Sequence, residues 1–294
     1  MSTAETKLPT CYRHPDRETG LSCSECGRPI CTECMTAAPV GLRCPDHSGK
    51  AARAPRVAGR QIVQPQTRIG GTDALVTKAL IAINVAIYLV TAVQGNGFGS
   101  PGGSLWNNAI LWGPLVHHGD WWRLITAMFL HASIVHIAFN MLALWWIGAP
   151  VEQYLGRTRF VGLYLVAGLA GSAGALVASP TIPVVGASGA IFGILGAMLI
   201  LEWQATGRLG GNALTLIVIN LVIGFAYNGA GGNISIGGHV GGLIGGILAT
   251  LAFARWGKGH AAYGRLGLAG LAGLVFVAIG SVAIAYWKVR GLAG

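Results

Sequence analysis

Few side chains in the long apolar part of this 294-residue chain can do chemistry, and they sit in recognisable settings. Ser188 stands in Gly186-Ala187-Ser188-Gly189, His239 follows Gly237-Gly238, and His136 and Asn140 are four residues apart, on one face of a helix. A serine hydroxyl is a poor nucleophile until an uncharged base within hydrogen-bond reach removes its proton. His239 is the candidate base. His14 and His47 belong with cysteines, His117 and His118 fall in a loop, and His260 lies beyond the sixth apolar run. After Lys78 the only acids are Asp120, Glu152 and Glu202, none near Ser188 or His239 in depth, so a dyad rather than a triad is expected. Hydrolysis of an amide also needs donors for the oxyanion, and Asn140, His136 and the Ser188 backbone N–H could supply them. A lone serine or histidine inside a membrane ordinarily makes a helix–helix hydrogen bond. The glycine flanks and the common depth of these residues favour chemistry instead.

A second group lies at the other end. All six cysteines fall between residues 11 and 44, paired among themselves and with two histidines as Cys11/His14, Cys23/Cys26, Cys31/Cys34 and Cys44/His47. Two intervening residues let a tight knuckle aim both side chains at one ion, and eight ligands make two tetrahedral zinc sites. Three disulfides would need an oxidising compartment. A segment this short also needs staples, having little core of its own. Four-ligand sites leave no open position for a reaction, so two structural Zn2+ would organise a surface for a cytosolic protein partner or for regulation, and catalysis would need no cofactor.

The elements that position these groups follow from composition. The chain is 53% hydrophobic and 10% charged, against roughly 25% charged in soluble domains. Residues 1–78 hold 11 Lys/Arg and 7 Asp/Glu, and the remainder only 9 and 3. The net charge of +10 does not mark a nucleic-acid binder, because the basic residues outside the cysteine-rich segment lie in a linker and in short loops. Runs long enough to span a bilayer, about 20 residues each, occur near 76–94, 132–150, 159–179, 184–202, 212–228, 234–254 and 265–287. The N-terminal segment is polar and carries no signal-like run, which predicts a cytosolic N-terminus. Arg157, Arg159, Arg208, Arg255, Lys258 and Arg265 then fall inside, as the positive-inside trend requires; Lys288 and Arg290 fall outside against it. Ser188 lies five residues past Pro183 and His239 six past Asn233, which predicts a depth of roughly 8 to 9 Å in each helix. Residues 94–130, with Trp106, Trp112, Trp121 and Trp122, read as a loop in the outer interface. Glycine rows such as Gly238, Gly242, Gly246 and Gly189, Gly193, Ala197 allow close helix contact.

Together these motifs resemble the rhomboid intramembrane protease family over most of residues 75–254: Trp122-Arg123, His131-x4-His136-x3-Asn140, Glu152-x3-Gly156, Gly186-x-Ser188-Gly189 and His239-x2-Gly242-x3-Gly246. The resemblance implies an all-α polytopic membrane protein with a six-helix rhomboid core and a seventh C-terminal helix, preceded by a small zinc-stapled N-terminal domain. It implies Ser188 as nucleophile, His239 as general base, and His136, Asn140 and Ser188 as the oxyanion hole. His131, Gly186 and Gly189 are supporting, Phe192 stacks under the base, and Trp122, Arg123 and Glu152 are structural. The cysteine-rich run resembles a B-box zinc finger, which implies Cys11, His14, Cys31 and Cys34 on one ion and Cys23, Cys26, Cys44 and His47 on the other. The expected organisation is a zinc-binding domain at 1–48, a flexible basic linker at 49–74, the core at 75–256 and a loop, seventh helix and tail at 257–294. The expected function is cleavage of single-span membrane protein substrates by a multi-pass protein of the plasma membrane, embedded in the lipid bilayer with its active site toward the outer side. An inactive relative that binds membrane clients is the alternative. A transporter is disfavoured, lacking paired acids and broken-helix repeats.

Overall fold

A computed structural model of the protein describes residues 8–37, 42–47, 74–253 and 267–292. The expected linker, apart from Ala74, lies outside the described residues, as do Arg255, Lys258, His260 and Arg265. The chain divides into two units, 1–69 and 70–294.

In the first unit, β1 (Thr10–Cys11) pairs antiparallel with β2 (His14–Glu18), and β3 (Thr36–Ala37) with β4 (Leu42–Arg43). Ile30 is fully buried, and its neighbours in the small core are chiefly cysteines. So little apolar surface cannot hold a fold of this size without cross-links.

The second unit is helical. Its elements are α1 (Leu75–Gln94), α2 (Gly103–Ala109), α3 (Gly113–His117), α4 (Arg123–Thr126), α5 (Ile134–Ala143), α6 (Ala149–Leu155), α7 (Arg157–Ala178), α8 (Ser188–Thr206), α9 (Asn212–Gly229), α10 (Ile236–Phe253) and α11 (Leu268–Val289). Among the described residues seven spans are long and apolar enough to cross a membrane: α1, the stretch Ile134–Leu155, α7, α8, α9, α10 and α11. The protein is an integral, multi-pass membrane protein, a helical core with an extra C-terminal helix. Helices suit this environment because they satisfy their own backbone groups where water is absent. α7 is the central element, 67% buried in its apolar window against 17% for α9, which stands at the periphery.

Two local features differ from the regular helices the periodicity predicts. The second span is α5 and α6 joined by a π turn, Leu144–Gly148, just before Pro150. Proline has no N–H for the helix ladder, and a widened turn absorbs that defect. The fourth span begins at Ser188 itself, not near 184, so Ser188 is the first residue of a helix and lies at no depth within it. Residues before it are held extended: Val184 pairs with Leu111, and Gly186 has φ +127°. Between α1 and α5 the connecting segment contains α2, α3 and α4, pinned by Arg123. This guanidinium is 4% exposed and donates to the carbonyls of Asn107 (2.8 Å) and Ile110 (3.0 Å) and to the Asp120 carboxylate (2.8 Å). A charge so buried persists only when its donors are matched.

At the far end from Ser188, Glu152 is 2% exposed. It accepts from the N–H groups of Val76 (2.9 Å) and Thr77 (2.7 Å) and from the Thr77 hydroxyl (2.7 Å). Its carboxylate thus satisfies donors in the first turn of α1 that have no intrahelical acceptor. Glu152→Ala leaves these groups buried and unpaired, and we expect a loss of about 3 kcal/mol, with Thr77→Val losing about 1 kcal/mol. Thermal unfolding in detergent micelles measures both.

Candidate active site and metal clusters

Ser188 and His239 meet where α8 and α10 begin. The distance from His239 Nε2 to Ser188 Oγ is 2.9 Å. α10 starts three residues before the histidine, and its first turn is closed by the Ser235 hydroxyl, which accepts from the Gly238 N–H at 3.2 Å. Phe192, one turn after Ser188, lies flat on the imidazole with centroids 4.2 Å apart and planes 15° apart. The ring fixes the plane in which Nε2 can reach the hydroxyl.

The approach of these two helices is made by glycine. A Cβ on Gly242 would overlap the Gly189 carbonyl, and one on Gly246 would overlap the backbone of Gly193. α7 joins the same junction. A Cβ on Gly171 would lie 3.1 Å from both Gly189 Cα and the Gly238 carbonyl oxygen, and one on Gly174 2.9 Å from Gly241 Cα. Backbone packed on backbone is how helices associate without a hydrophobic drive between them. The glycines of α7 are absent from the residues singled out in the sequence, although Gly168, Gly171 and Gly174 carry a small-residue spacing of their own.

His136 and Asn140 sit on α5, across from Ser188. A Cβ on Gly186 would lie 2.8 Å from His136 Nε2 and 3.8 Å from Ser188 Oγ, so the two side chains flank one point that only glycine leaves open. Asn140 is 6% exposed; its Nδ2 donates to the His136 carbonyl (2.9 Å), and its Oδ1 is buried with no partner among the described residues. The Ser133 hydroxyl caps α5 by accepting from the His136 N–H (3.2 Å). His131 is fully buried against His136, edge to face at 5.1 Å. The backbone N–H of Ser188 belongs to the first turn of α8 and has no acceptor within that helix. Behind the hydroxyl lies a cavity of about 30 Å³, lined by Met128, Gly168, Gly171, Val184 and Ser235 among others. That is room for small groups only.

No carboxylate supports the imidazole: His239 Nδ1 is buried with no partner among the described residues. The three acids after Lys78 are engaged elsewhere. Asp120 pairs with Arg123, Glu152 caps α1, and Glu202 accepts from the Ala213 N–H at 3.2 Å, at the start of α9. Among the described residues, Ser188 and His239 meet with no carboxylate beside them.

In the first unit the eight Cys/His ligand atoms form two groups, Cys11, His14, Cys31, Cys34 and Cys23, Cys26, Cys44, His47, with all atoms of a group within 4.8 Å of one another. His14 Nδ1 lies 3.9, 3.4 and 3.3 Å from the sulfurs of Cys11, Cys31 and Cys34. His47 Nδ1 lies 4.0 Å from Cys23 Sγ and 3.2 Å from Cys44 Sγ. Tetrahedral zinc bonded to S and N at about 2.3 and 2.0 Å sets ligand atoms about 3.5 Å apart, so both clusters could hold the ion. Desolvation works to raise the Cys11 and Cys23 thiols. Backbone N–H groups, of Arg13 and Cys31 toward one and of Cys26 and Cys44 toward the other, outweigh it and lower both to about 6. Thiolate is the form that binds metal.

The rhomboid domain family matches residues 118–256. The rhomboid protease GluP of Bacillus subtilis (strain 168) is 47% identical over 142 residues, 47% of this chain and 27% of GluP. The putative rhomboid protease YdcA of the same strain is 36% identical over 134 residues, 45% of this chain and 67% of YdcA. The rhomboid protease AarA of Providencia stuartii is 30% identical over 211 residues, 60% of this chain and 72% of AarA. The chain belongs to the rhomboid family. It spans little more than a quarter of the length of GluP.

The glycine junction can be tested apart from any activity. Gly242→Ala drives a methyl group into the Gly189 carbonyl and should cost about 1 to 3 kcal/mol. Gly280→Ala, whose Cβ would meet nothing within 4 Å, should be neutral or gain a few tenths of a kcal/mol from helix propensity. Thermal or denaturant midpoints of the two variants compare them directly.

Proposed function

We propose that this protein is an intramembrane serine endopeptidase that hydrolyses peptide bonds in the transmembrane segments of single-span membrane proteins. The observation that carries this reading is the 2.9 Å approach of His239 Nε2 to Ser188 Oγ, with Phe192 stacked beneath the imidazole. Neutral His239 carries its proton on Nδ1 and accepts the serine proton at Nε2. Ser188 Oγ attacks the scissile carbonyl, and the C–O bond forms as the carbonyl π pair moves onto oxygen. His239 returns the proton to the leaving nitrogen as the C–N bond breaks, leaving an ester on Ser188. Water, deprotonated by the same nitrogen, then hydrolyses the ester and restores the hydroxyl.

The oxyanion is held by the Ser188 N–H, the His136 Nε2–H and the Asn140 amide, which turns from the His136 carbonyl to face the charge. The helix N-terminus adds its partial positive charge at the same point. His131 supports His136, and Gly186 and Gly189 leave room for the reacting groups. The reaction calls for no cofactor. The active site faces the outer side of the plasma membrane, with the N-terminal unit cytosolic.

The residues 1–48 form a B-box-like domain holding two structural zinc ions, Cys11, His14, Cys31 and Cys34 on one and Cys23, Cys26, Cys44 and His47 on the other. It presents a surface to a cytosolic protein partner. A basic linker, 49–74, joins it to the core at 75–256, and 257–294 completes the chain.

Cleavage of a single-span reporter in proteoliposomes tests the protease. Ser188→Ala and His239→Ala should each reduce turnover below detection at matched protein levels, and Asn140→Ala should lower it about 10²-fold. Equal cutting by wild type and both dyad variants, or no cutting of several reporters by any, moves the client-binding alternative ahead. For the metal, elemental analysis of the purified chain should give two zinc ions per molecule, and one in Cys11→Ser or Cys23→Ser. Retention of two ions in both variants would count against the ligand sets.

A further inference from the structure

The seventh helix lies outside the stretch matched by the rhomboid family, residues 118–256, and only one stripe of it is covered. Leu274, Val277, Ser281, Ala285 and Val289 are buried, at steps of three and four, while Phe276, Ile279 and Trp287 on the other sides are exposed. The covered stripe does different things at its two ends. Leu274 joins the main core, its Cδ1 2.7 Å from where a Cβ on Gly162 would sit. Ala285 and Val289, both fully buried, join a separate cluster that contains Leu111, Val116 and Leu176.

Past Val289 the chain turns back. The Leu292 N–H donates to the Val289 carbonyl at 2.9 Å, and Leu292 Cδ1 lies 3.0 Å from the Cβ position of Gly113. Gly113 belongs to a strap, Leu111 to Gly113, that is bonded to the segment leading to Ser188. The Leu111 N–H donates to Val184 (3.2 Å) and the Val184 N–H to Leu111 (2.8 Å). The Gly113 N–H donates to Pro180 (2.9 Å), and the Trp112 indole N–H to Thr181 (3.0 Å). On the far side of the segment the Gly186 N–H donates to Ala127 at 3.0 Å. The segment from Pro180 to Ala187 contains no helix of its own, so these bonds are what hold its course. A strap clamped to it is only as fixed as whatever packs behind the strap.

We propose that the outer end of α11, through Val289 and Leu292, is a positioning brace for the nucleophile: it backs the Leu111–Gly113 strap, which holds the 180–187 segment and so fixes Ser188 and the oxyanion point beside Gly186. Leu292 and Val289 touch no reacting atom and are positioning residues. The brace rests on the reading of Ser188 as nucleophile given above. It bears on the chemical step, because a misplacement on the order of 1 Å at a reacting group lowers rates by up to about 10²-fold, while substrate capture in the membrane is left alone.

The test compares Leu292→Ala with Leu274→Ala in the full chain, one removing a leucine side chain just past the outer end of α11 and the other a leucine side chain at the opposite end of its buried stripe. Two readouts are taken: amide hydrogen exchange at Val184 and Gly186, which needs no activity, and steady-state cleavage of a single-span reporter with labelling of Ser188 by a fluorophosphonate. Leu292→Ala should raise exchange at both amides and lower kcat and the labelling rate by about tenfold with KM within about twofold. Leu292→Met should restore them. Leu274→Ala should lower thermal stability at least as much and leave exchange at these amides and kcat near wild type. Unchanged exchange in Leu292→Ala overturns the brace, as does an equal fall of kcat in Leu274→Ala or a rise in KM alone. Absence of labelling and cleavage in wild type would sink the serine reading itself, and the exchange data would still decide whether α11 holds the strap.

Discussion

Everything at the candidate site depends on how closely α7, α8 and α10 approach one another. In a bilayer, apolar side chains gain little by leaving lipid for a neighbouring helix, so association relies on close packing and on weak backbone contacts. Glycine removes the side chain that would keep helices apart. Gly189 and Gly193 on α8 face Gly242 and Gly246 on α10 with no room for a Cβ, and Gly171 and Gly174 of α7 fill the third side. The hydroxyl of Ser188 and the ring of His239 project from the ends of helices held this way, and their 2.9 Å separation follows from the backbone spacing. A looser junction would leave the two groups out of reach whatever their identity.

The second constraint is the treatment of polar groups. Each acid after Lys78 has a structural task at an element end: Glu152 on the start of α1, Glu202 at the start of α9, Asp120 on Arg123. Such placement is economical where an unpaired charge is expensive. It also leaves the imidazole of His239 without a carboxylate on Nδ1 among the described residues. Orientation of the ring then falls to stacking on Phe192 and to the helix cap at Ser235, both of which act without charge.

Much of this was legible in the residues alone, for reasons that can be named. Long apolar runs locate helices to within a few residues, and rare polar side chains in them stand out because the membrane makes them costly. Two-residue spacing marks four Cys/His pairs as ligands, while which pairs gather together, Cys11, His14, Cys31, Cys34 and Cys23, Cys26, Cys44, His47, follows from the resemblance to a B-box and from the fold, not from spacing. The start of α8 was misjudged by four residues, since Val184, Val185 and Gly186 are as apolar as any helix and their extended course is imposed by Leu111 and Ala127, far away in sequence. The break in the second span was also not foreseen, Pro150 being compatible with a regular first turn of a new helix as well as with a widened one. Contacts of that kind are set by tertiary packing and leave no periodic trace.

The misjudged boundary has a consequence for how the site is built. Had the fourth span begun at 184, Ser188 would project from mid-helix, its N–H committed to the helix ladder and its hydroxyl crowded by the preceding turn. Beginning at Ser188, the helix leaves that N–H and its partial positive charge available at the same place as the hydroxyl. The cost is a non-helical segment beside the reacting groups, with backbone groups that must be satisfied inside a membrane protein. Leu111, Gly113, Trp112 and Ala127 satisfy them. Ser188 is thus held from two directions by different means, from below by glycine-packed helices and from the side by a hydrogen-bonded strap. The helices fix the distance to His239, and the strap fixes the opening toward His136.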